Sequence, residues 1–259
     1  MRGLTTDLSA AVSRLAENDV APKAVHRLRT TIRRIESLIS YSHPDLDKKL
    51  ERSLEKLTDL RKRAGKVRDM DVQIALLGVL ANGSTVKDRE TLAELLGKMR
   101  DRQTQRLVSA VQKLRRSKFF ARMNRIAERA GAVPEGRNRP LAPLEEARAQ
   151  LAVMAGDFAS QNLSHQNQKI SRLHDARISL KRIRYLAELA EKSTGQKSFI
   201  RELKAVQDAG GDGHDWLELT NTAEKRFSDR ANCALLREVR ALLADRHTAA
   251  TSSIANLFA

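Results

Sequence analysis

The chain has 259 residues, of which 41% are hydrophobic, so it can bury a sizeable core in one large domain or two small ones. Its 48 lysines and arginines exceed its 32 aspartates and glutamates, and the formal charge of +16 predicts a partner such as nucleic acid, a membrane surface or an inorganic polyanion. The single cysteine, Cys233, excludes an intrachain disulfide and a two-cysteine zinc site, and no apolar segment resembles a signal peptide or a membrane span.

The predicted secondary structure is entirely helical, because aliphatic residues recur at helical spacing and glycine and proline number only 12 and 5. In the first half we expect helices over residues 4–17, 22–41, 46–65, 71–80, 86–115 and 119–130. Three prolines and two glycines in 131–143 then indicate a linker. In the second half we expect helices over residues 144–162, 167–192, 198–209, 215–227 and 231–257. The predicted domains are a first bundle repeat at 1–131, a linker at 132–143 and a second repeat at 144–259.

A basic helix led by a histidine occurs once in each half. In both copies the histidine is followed by a cation at positions i+3, i+7 and i+8. A helix turns about 100° per residue, so positions i, i+3 and i+7 form one stripe about 10 Å long. We call these stripes the first row, formed by His26, Arg29 and Arg33, and the second row, formed by His174, Arg177, Lys181 and Arg184.

Each row lies one residue out of phase with an apolar seam on its own helix. The first seam comprises Val25, Leu28, Ile32, Ile35 and Ile39, and the second comprises Leu173, Ala176, Leu180, Ile183 and Ala187. The rows should therefore lie beside the buried face and line a crevice between helices. Arg34 and Arg182 lie on the far flank of the seams, where they face another wall or solvent.

A run of charge on a helix is usually only its solvated face. Three features favour a binding site here: the spacing recurs, a histidine holds the same register in both copies, and acidic partners at i,i+4 are lacking. A histidine can contact a ligand, or it can only hydrogen-bond and orient the neighbouring arginines. For His26 and His174 the sequence leaves both interpretations open.

A second repeated element follows each row. Gly65 and Asp69 in the first half correspond to Gly211 and Asp215 in the second. Glycine permits the left-handed residue that ends a helix, and aspartate accepts from the free N–H groups at the start of the next. We therefore expect a helix–turn–helix at each element, with the aspartates as N-caps. The same aspartates could instead hold a basic residue or a metal ion.

These residues resemble the pattern of the CHAD domain family, an α-helical family named for its histidines. The rows carry the family's His, Arg at i+3 and basic pair at i+7 and i+8, and the stretch 114–120 also fits. The turns carry the rest of the pattern, in Gly65, Arg68, Asp69, Asp71 and Val72, and in Gln207, Asp208, Gly211 and Asp215. The resemblance implies two antiparallel four-helix bundles related by internal pseudo-twofold symmetry. It also implies binding of inorganic polyphosphate in a basic central groove, and we expect a stand-alone binding module.

The resemblance assigns polyphosphate binding to the rows, the flanking arginines and one further lysine. These residues are His26, Arg29, Arg33, Arg34, His174, Arg177, Lys181, Arg182, Arg184 and Lys204. We expect no catalysis, metal or cofactor, because the sequence has no Walker-type glycine-rich loop, no metalloprotease helix and no paired carboxylates facing the rows, and we expect no membrane partner. The chain departs from the pattern at Glu36, where many members have arginine, and at Gly210 and Gly213, where leucines are usual. These glycines should loosen the segment 209–214.

Two rival functions use the same residues. Nucleic acid could bind by its backbone to the same cations, although aromatic residues make up only 3% of the chain and disfavour base stacking. A metal-dependent phosphohydrolase could use His26, His174, Asp69, Asp71 and Asp215. A scaffold that recruits a phosphate-handling enzyme is a third option. We expect a cytoplasmic protein, associated with polyphosphate granules, whose oligomeric state the sequence leaves open.

Overall fold

The computed structural model describes residues 2–42, 47–80, 85–129, 142–159, 166–228 and 233–258. In these ranges the chain forms α-helices and no strand, which confirms the all-α prediction. The helices are α1 (Arg2–Ala16), α2 (Pro22–Ser42), α3 (Lys48–Val79), α4 (Val86–Arg116), α5 (Phe119–Arg129), α6 (Pro143–Ala159), α7 (Gln166–Ala187), α8 (Thr194–Arg226) and α9 (Ala234–Phe258). Within the same ranges, none of these helices has the length and apolarity needed to cross a membrane.

The predicted breaks at Gly65 and Gly211 are wrong. α3 runs without interruption through Gly65, and α8 does the same through Gly211. Neither glycine adopts the left-handed backbone that ends a helix. In α3 the buried face continues past the glycine through Val67 and Asp71, so packing overrides the local stop signal. Asp69 and Asp215 consequently lie inside helices and are not N-caps.

Of the glycines in α8, Gly213 allows close packing against another helix and Gly211 does not contribute to packing. A Cβ atom on Gly213 would lie 3.4 Å from the carbonyl oxygen of Arg246 and 3.6 Å from the Cβ atom of Ala250. Gly213 therefore allows α8 and α9 to approach closely, whereas a Cβ atom on Gly211 would meet nothing within 4 Å. The segment 209–214 is thus regular helix, and the expectation that it forms a loosened turn is wrong.

Substitutions at these two glycines should change stability in opposite directions. Gly213→Leu should lower the free energy of unfolding by about 1–3 kcal/mol, because its side chain would push α9 away from α8. Gly211→Ala should raise it by up to about 1 kcal/mol, because alanine favours a helix and finds open space here. Urea unfolding followed by circular dichroism would measure both values. Equal effects of the two substitutions would contradict the assigned packing.

The chain divides into two compact units. Unit 1 comprises Met1–Asp71 and Leu96–Pro140, and unit 2 comprises Val72–Leu95 and Leu141–Ala259. This division by contacts does not test internal symmetry, so the repeats at 1–131 and 144–259, their arrangement as four-helix bundles and the pseudo-twofold axis stay predictions. The predicted linker at 132–143 lies almost entirely outside the described residues.

The two predicted seams are buried in their units. In unit 1 all five residues of the first seam have no exposed surface and pack with α1, α3, α4 and α5. In unit 2 the four described residues of the second seam are at most 6% exposed: Ala176, Leu180, Ile183 and Ala187. The side chain of Leu173 lies outside the described residues. The helical faces inferred from the spacing are therefore confirmed wherever they are described.

Candidate site on the basic rows

The first row lies at the edge of the buried face of α2. Arg29 and Arg33 are half-buried, and His26 is more exposed. Because the seam next to them is fully buried, the row lies beside the core, as predicted from its phase. Arg34, on the other flank, is exposed.

The partner surface for the first row is the face of α3 that carries Gly65. A Cβ atom on Gly65 would lie 3.9 Å from Nη2 of Arg29, so the guanidinium group of Arg29 lies over α3 at this point. Arg68 follows one turn later on the same helix and is close enough to His26 to repel its proton. His26 thus lies in one cluster with the cations Arg29 and Arg68, which spans α2 and α3.

Sequence reasoning included Arg68 in the family pattern but missed it as a site residue. The signal was its position three residues after Gly65, which places both residues on one face of a helix. The predicted turn concealed that relationship, because it ended the helix between them.

The pKa of the His26 imidazole is lowered below its ordinary value of 6.5. Burial is the largest cause, followed by the positive charges of Arg68 and Arg29. The folded protein therefore disfavours a proton on His26 that the unfolded chain accepts below about pH 6.5. This contribution of His26 to stability is present above that pH and is lost as the pH falls through the lowered pKa.

A phosphate chain bound at the cluster should reverse this effect. Its negative charge would oppose the repulsion from Arg29 and Arg68, raise the pKa of His26 and make binding take up a proton. We therefore expect the affinity for a phosphate chain to increase as the pH falls from neutral towards the lowered pKa of His26 in the free protein. Titrations at fixed ionic strength would measure the change. His26→Gln should flatten the profile while His247→Gln leaves it unchanged, and identical profiles for wild type and His26→Gln would contradict the expectation.

The second row lies on α7 in unit 2. Arg177 and Lys181 are half-buried, and Arg182 on the flank is exposed. The Cγ and Cδ atoms of Arg177 lie 4.0 Å from the position of a Cβ atom on Gly210, so the stem of this arginine passes over α8. In both units, then, the arginine at i+3 lies against a glycine of the next long helix. The side chain of His174 lies outside the described residues.

The sequence model of the CHAD domain family matches residues 4–224. The chain belongs to the CHAD domain family. No curated protein shows significant sequence similarity to this CHAD domain.

Two solved structures have a similar fold. The crystal structure of the CHAD domain from the plant Ricinus communis gives a TM-score of 0.68 at 18% identity, over 100% of this chain and 91% of that chain. PptA from Streptomyces chartreusis gives a TM-score of 0.60 at 19% identity, over 98% of this chain and 96% of that chain. At these identities the likeness establishes the fold of this CHAD domain.

Arg184 of the second row is held by contacts within the protein. Its Nε atom donates to Oε1 of Gln207 at 2.9 Å, and its guanidinium group lies 4.3 Å from the centre of the Tyr185 ring. It also forms an ion pair with Glu188, so the expectation that the rows lack acidic partners at i,i+4 is wrong here. Gln207 in turn donates to the carbonyl oxygen of Leu180 at 2.7 Å, which fixes α8 to α7.

Glu36 occupies the same position, i+10, after the first histidine. Nε of Arg61 on α3 lies 2.8 Å from Oε2 of Glu36, and the Thr58 hydroxyl donates to Oε1 at 2.7 Å. The acid is on α2 and the base on α3, whereas in unit 2 arginine is on α7 and glutamine on α8. A polar contact between adjacent helices is therefore present at position i+10 in both units. In unit 1 the helix with the histidine supplies the acceptor, and in unit 2 it supplies the donor.

Asp71, an acidic residue of the family pattern, is also engaged. Its side chain is 5% exposed, and its Oδ1 atom lies 2.5 Å from Nε of Arg100 on α4. Nη2 of Arg100 donates to the carbonyl oxygen of Val20 at 2.9 Å, so Asp71 connects α3, α4 and the segment between α1 and α2. Among the described side chains, no group of three His, Cys, Asp or Glu residues could hold a metal ion.

The remaining candidates lie on α3 and α8. Lys204 is exposed on α8, Asp69 is exposed on α3 and Asp215 is half-buried on α8. The described geometry thus brings together His26, Arg29 and Arg68 in unit 1, and places Arg177 over α8 in unit 2.

Proposed function

We propose that this CHAD domain binds inorganic polyphosphate through the cations of its two rows, without catalysing its turnover. The observation that carries the proposal is the cluster of His26, Arg29 and Arg68 on adjacent helices above Gly65. The guanidinium groups of Arg29 and Arg68 both disfavour a proton on His26, and a bound polyanion would be attracted to both and would favour that proton. The family resemblance and the formal charge of +16 support the same ligand.

The chemistry of the rows suits a chain of phosphates. Arginine can donate two parallel hydrogen bonds to phosphate oxygens, and lysine supplies a compact point charge. Arg29, Arg33 and Arg177 are half-buried, so their stems are already restrained before a ligand binds. A polyphosphate chain has no nucleobases. A site that binds it therefore needs positive charge and hydrogen-bond donors, but no aromatic side chains for stacking.

Competition with duplex DNA tests the choice of ligand. Long-chain polyphosphate should displace labelled duplex DNA from the protein at a much lower phosphate concentration than unlabelled DNA does. Affinity should fall steeply with salt, by analogy with the release of counterions from nucleic acids. Equal displacement per phosphate would favour the nucleic-acid rival.

Incubation with polyphosphate and added divalent metal tests the enzymatic rival. We expect no release of inorganic phosphate, and release that is lost in Asp69→Asn would favour a phosphohydrolase. We also propose that the protein is cytoplasmic and associates there with polyphosphate granules.

A further inference from the structure

A basic groove separate from the two rows lies in unit 1, between α3 and α4. Its volume is about 810 Å³. The walls carry five cations and two carboxylates over an apolar floor: Lys56, Arg63, Arg102, Arg106 and Lys113, with Glu55 and Asp59, above Leu60, Ala110 and Leu114. None of these residues belongs to the two rows or to their flanking arginines.

The groove and the first row use different sides of α3. With about 100° per residue, the groove residues of α3, numbered 55 to 63, point roughly opposite to Gly65 and Arg68. Gly65 and Arg68 are the residues that adjoin the first row. A ligand in the groove would therefore occupy a site separate from the one proposed for the rows.

The groove has more positively charged than negatively charged side chains. Arg63 pairs with Asp59 across one turn of α3, with Nε 2.8 Å from Oδ2. The four other cations face one further carboxylate, Glu55. Arg102, Arg106 and Lys113 are all exposed and span about 16 Å along α4 at about 1.5 Å per residue. This length exceeds what a single phosphate needs and suits an extended anion.

The floor of the groove argues for a linear polyanion and against an amphipathic peptide. Leu60 is 3% exposed and Leu114 is 9% exposed, so a helix docked here would gain little apolar contact. No aromatic side chain lines the groove among the described residues, so nucleobases would find no stacking platform. The amide of Gln105 and the hydroxyl of Ser109 line it and can add neutral hydrogen bonds to phosphate oxygens.

We propose that the groove between α3 and α4 is a second polyphosphate-binding site, distinct from the rows. This inference rests on the proposed function and extends it, because the protein would hold phosphate chains at more than one surface. The binding step is electrostatic, and the arginines supply paired donors to the phosphate oxygens.

Removing the groove cations tests the site. The variant Arg102→Gln/Arg106→Gln/Lys113→Gln should retain the fold, because all three side chains are exposed. The matched control is Lys87→Gln/Arg122→Gln/Arg237→Gln, which removes the same charge from exposed positions elsewhere. In calorimetric titrations with short polyphosphate, the groove variant should bind fewer chains per protein than the control. The slope of its plot of log affinity against log salt concentration should also be smaller in magnitude by about 2, because each lost phosphate contact removes roughly 0.7–0.9 from that slope. Equal stoichiometry and slope in the two variants would overturn the second site.

A local reporter separates this inference from the proposed function. Ser109→Cys places a thiol in the groove, Ser252→Cys places an exposed control thiol on α9, and the native Cys233 is buried. Polyphosphate should slow alkylation of the groove thiol several-fold and leave alkylation of the control thiol unchanged. The protection should persist when Arg177→Gln/Lys181→Gln is added. Absence of protection while the protein still binds polyphosphate would overturn the groove and leave the rows intact. Protection together with unaltered affinity in the row variant would support the groove and overturn the rows.

Discussion

Replacing Arg177 and Lys181 together with glutamine is expected to weaken polyphosphate binding at the rows about 100-fold or more. Each hydrogen bond to a charged group contributes about 1.5–3 kcal/mol, and two are removed from neighbouring turns of one helix. Both side chains are half-buried, and the stem of Arg177 already lies against α8, so the bound conformation is largely formed beforehand. Fluorescence anisotropy with labelled long-chain polyphosphate, at fixed pH and salt, would measure the loss.

The matched control is Lys225→Gln/Arg237→Gln. It removes one lysine and one arginine from the same unit, outside the second row, and therefore changes the net charge equally. Charges farther than about 8 Å from the ligand are largely screened at physiological salt, so the control should bind nearly as well as wild type. If both variants lose affinity equally, binding depends on net charge and not on the second row.

Asp71→Ala is expected to lower the free energy of unfolding by about 3–5 kcal/mol. Removal of this buried carboxylate leaves the Arg100 guanidinium group, which is 20% exposed, without its partner at 2.5 Å. It also loosens the connection from α4 to the carbonyl oxygen of Val20. Chemical denaturation would give the value, and a variant that fails to fold would agree with it.

Asp101→Ala provides the control for this substitution. Asp101 is the next residue along α4 after Arg100 but is exposed, so its loss should change stability by no more than about 0.5 kcal/mol. Similar stabilities of Asp71→Ala and Asp101→Ala would show that the contact with Arg100 contributes little. The family's acidic residue would then need another explanation.

The sequence was sufficient for the helices and their buried faces. The spacing of Val25, Leu28 and Ile32 predicts a helix that packs on the side carrying these residues. The structure buries all three completely. The turns at Gly65 and Gly211 could not be predicted correctly, because glycine and aspartate carry the same local signal in a turn and in a buried helix. In unit 1 packing decides between the two: the Arg29 guanidinium lies over α3 at Gly65 and Asp71 pairs with Arg100, and both contacts join residues far apart in the chain.

The residues of the candidate site could likewise be predicted only in part. The phase of Arg29 and Arg33 relative to the seam predicted their half-buried position. Arg68 and the groove between α3 and α4 depend on which helices are neighbours, which the spacing within one helix does not encode. The role of position i+10 could not be predicted either. Glu36 pairs with Arg61, and Arg184 pairs with Gln207. These two contacts can be recognised as equivalent only when the neighbouring helices are known.

A residue-resolved footprint of bound polyphosphate tests the central claim most directly. Arginines would be modified with a dicarbonyl reagent, with and without polyphosphate, and quantified by mass spectrometry. The account predicts protection of Arg29, Arg33 and Arg177, and none at the exposed Arg237. Unchanged modification of the row arginines at saturating polyphosphate, or equal protection of Arg237, would contradict it.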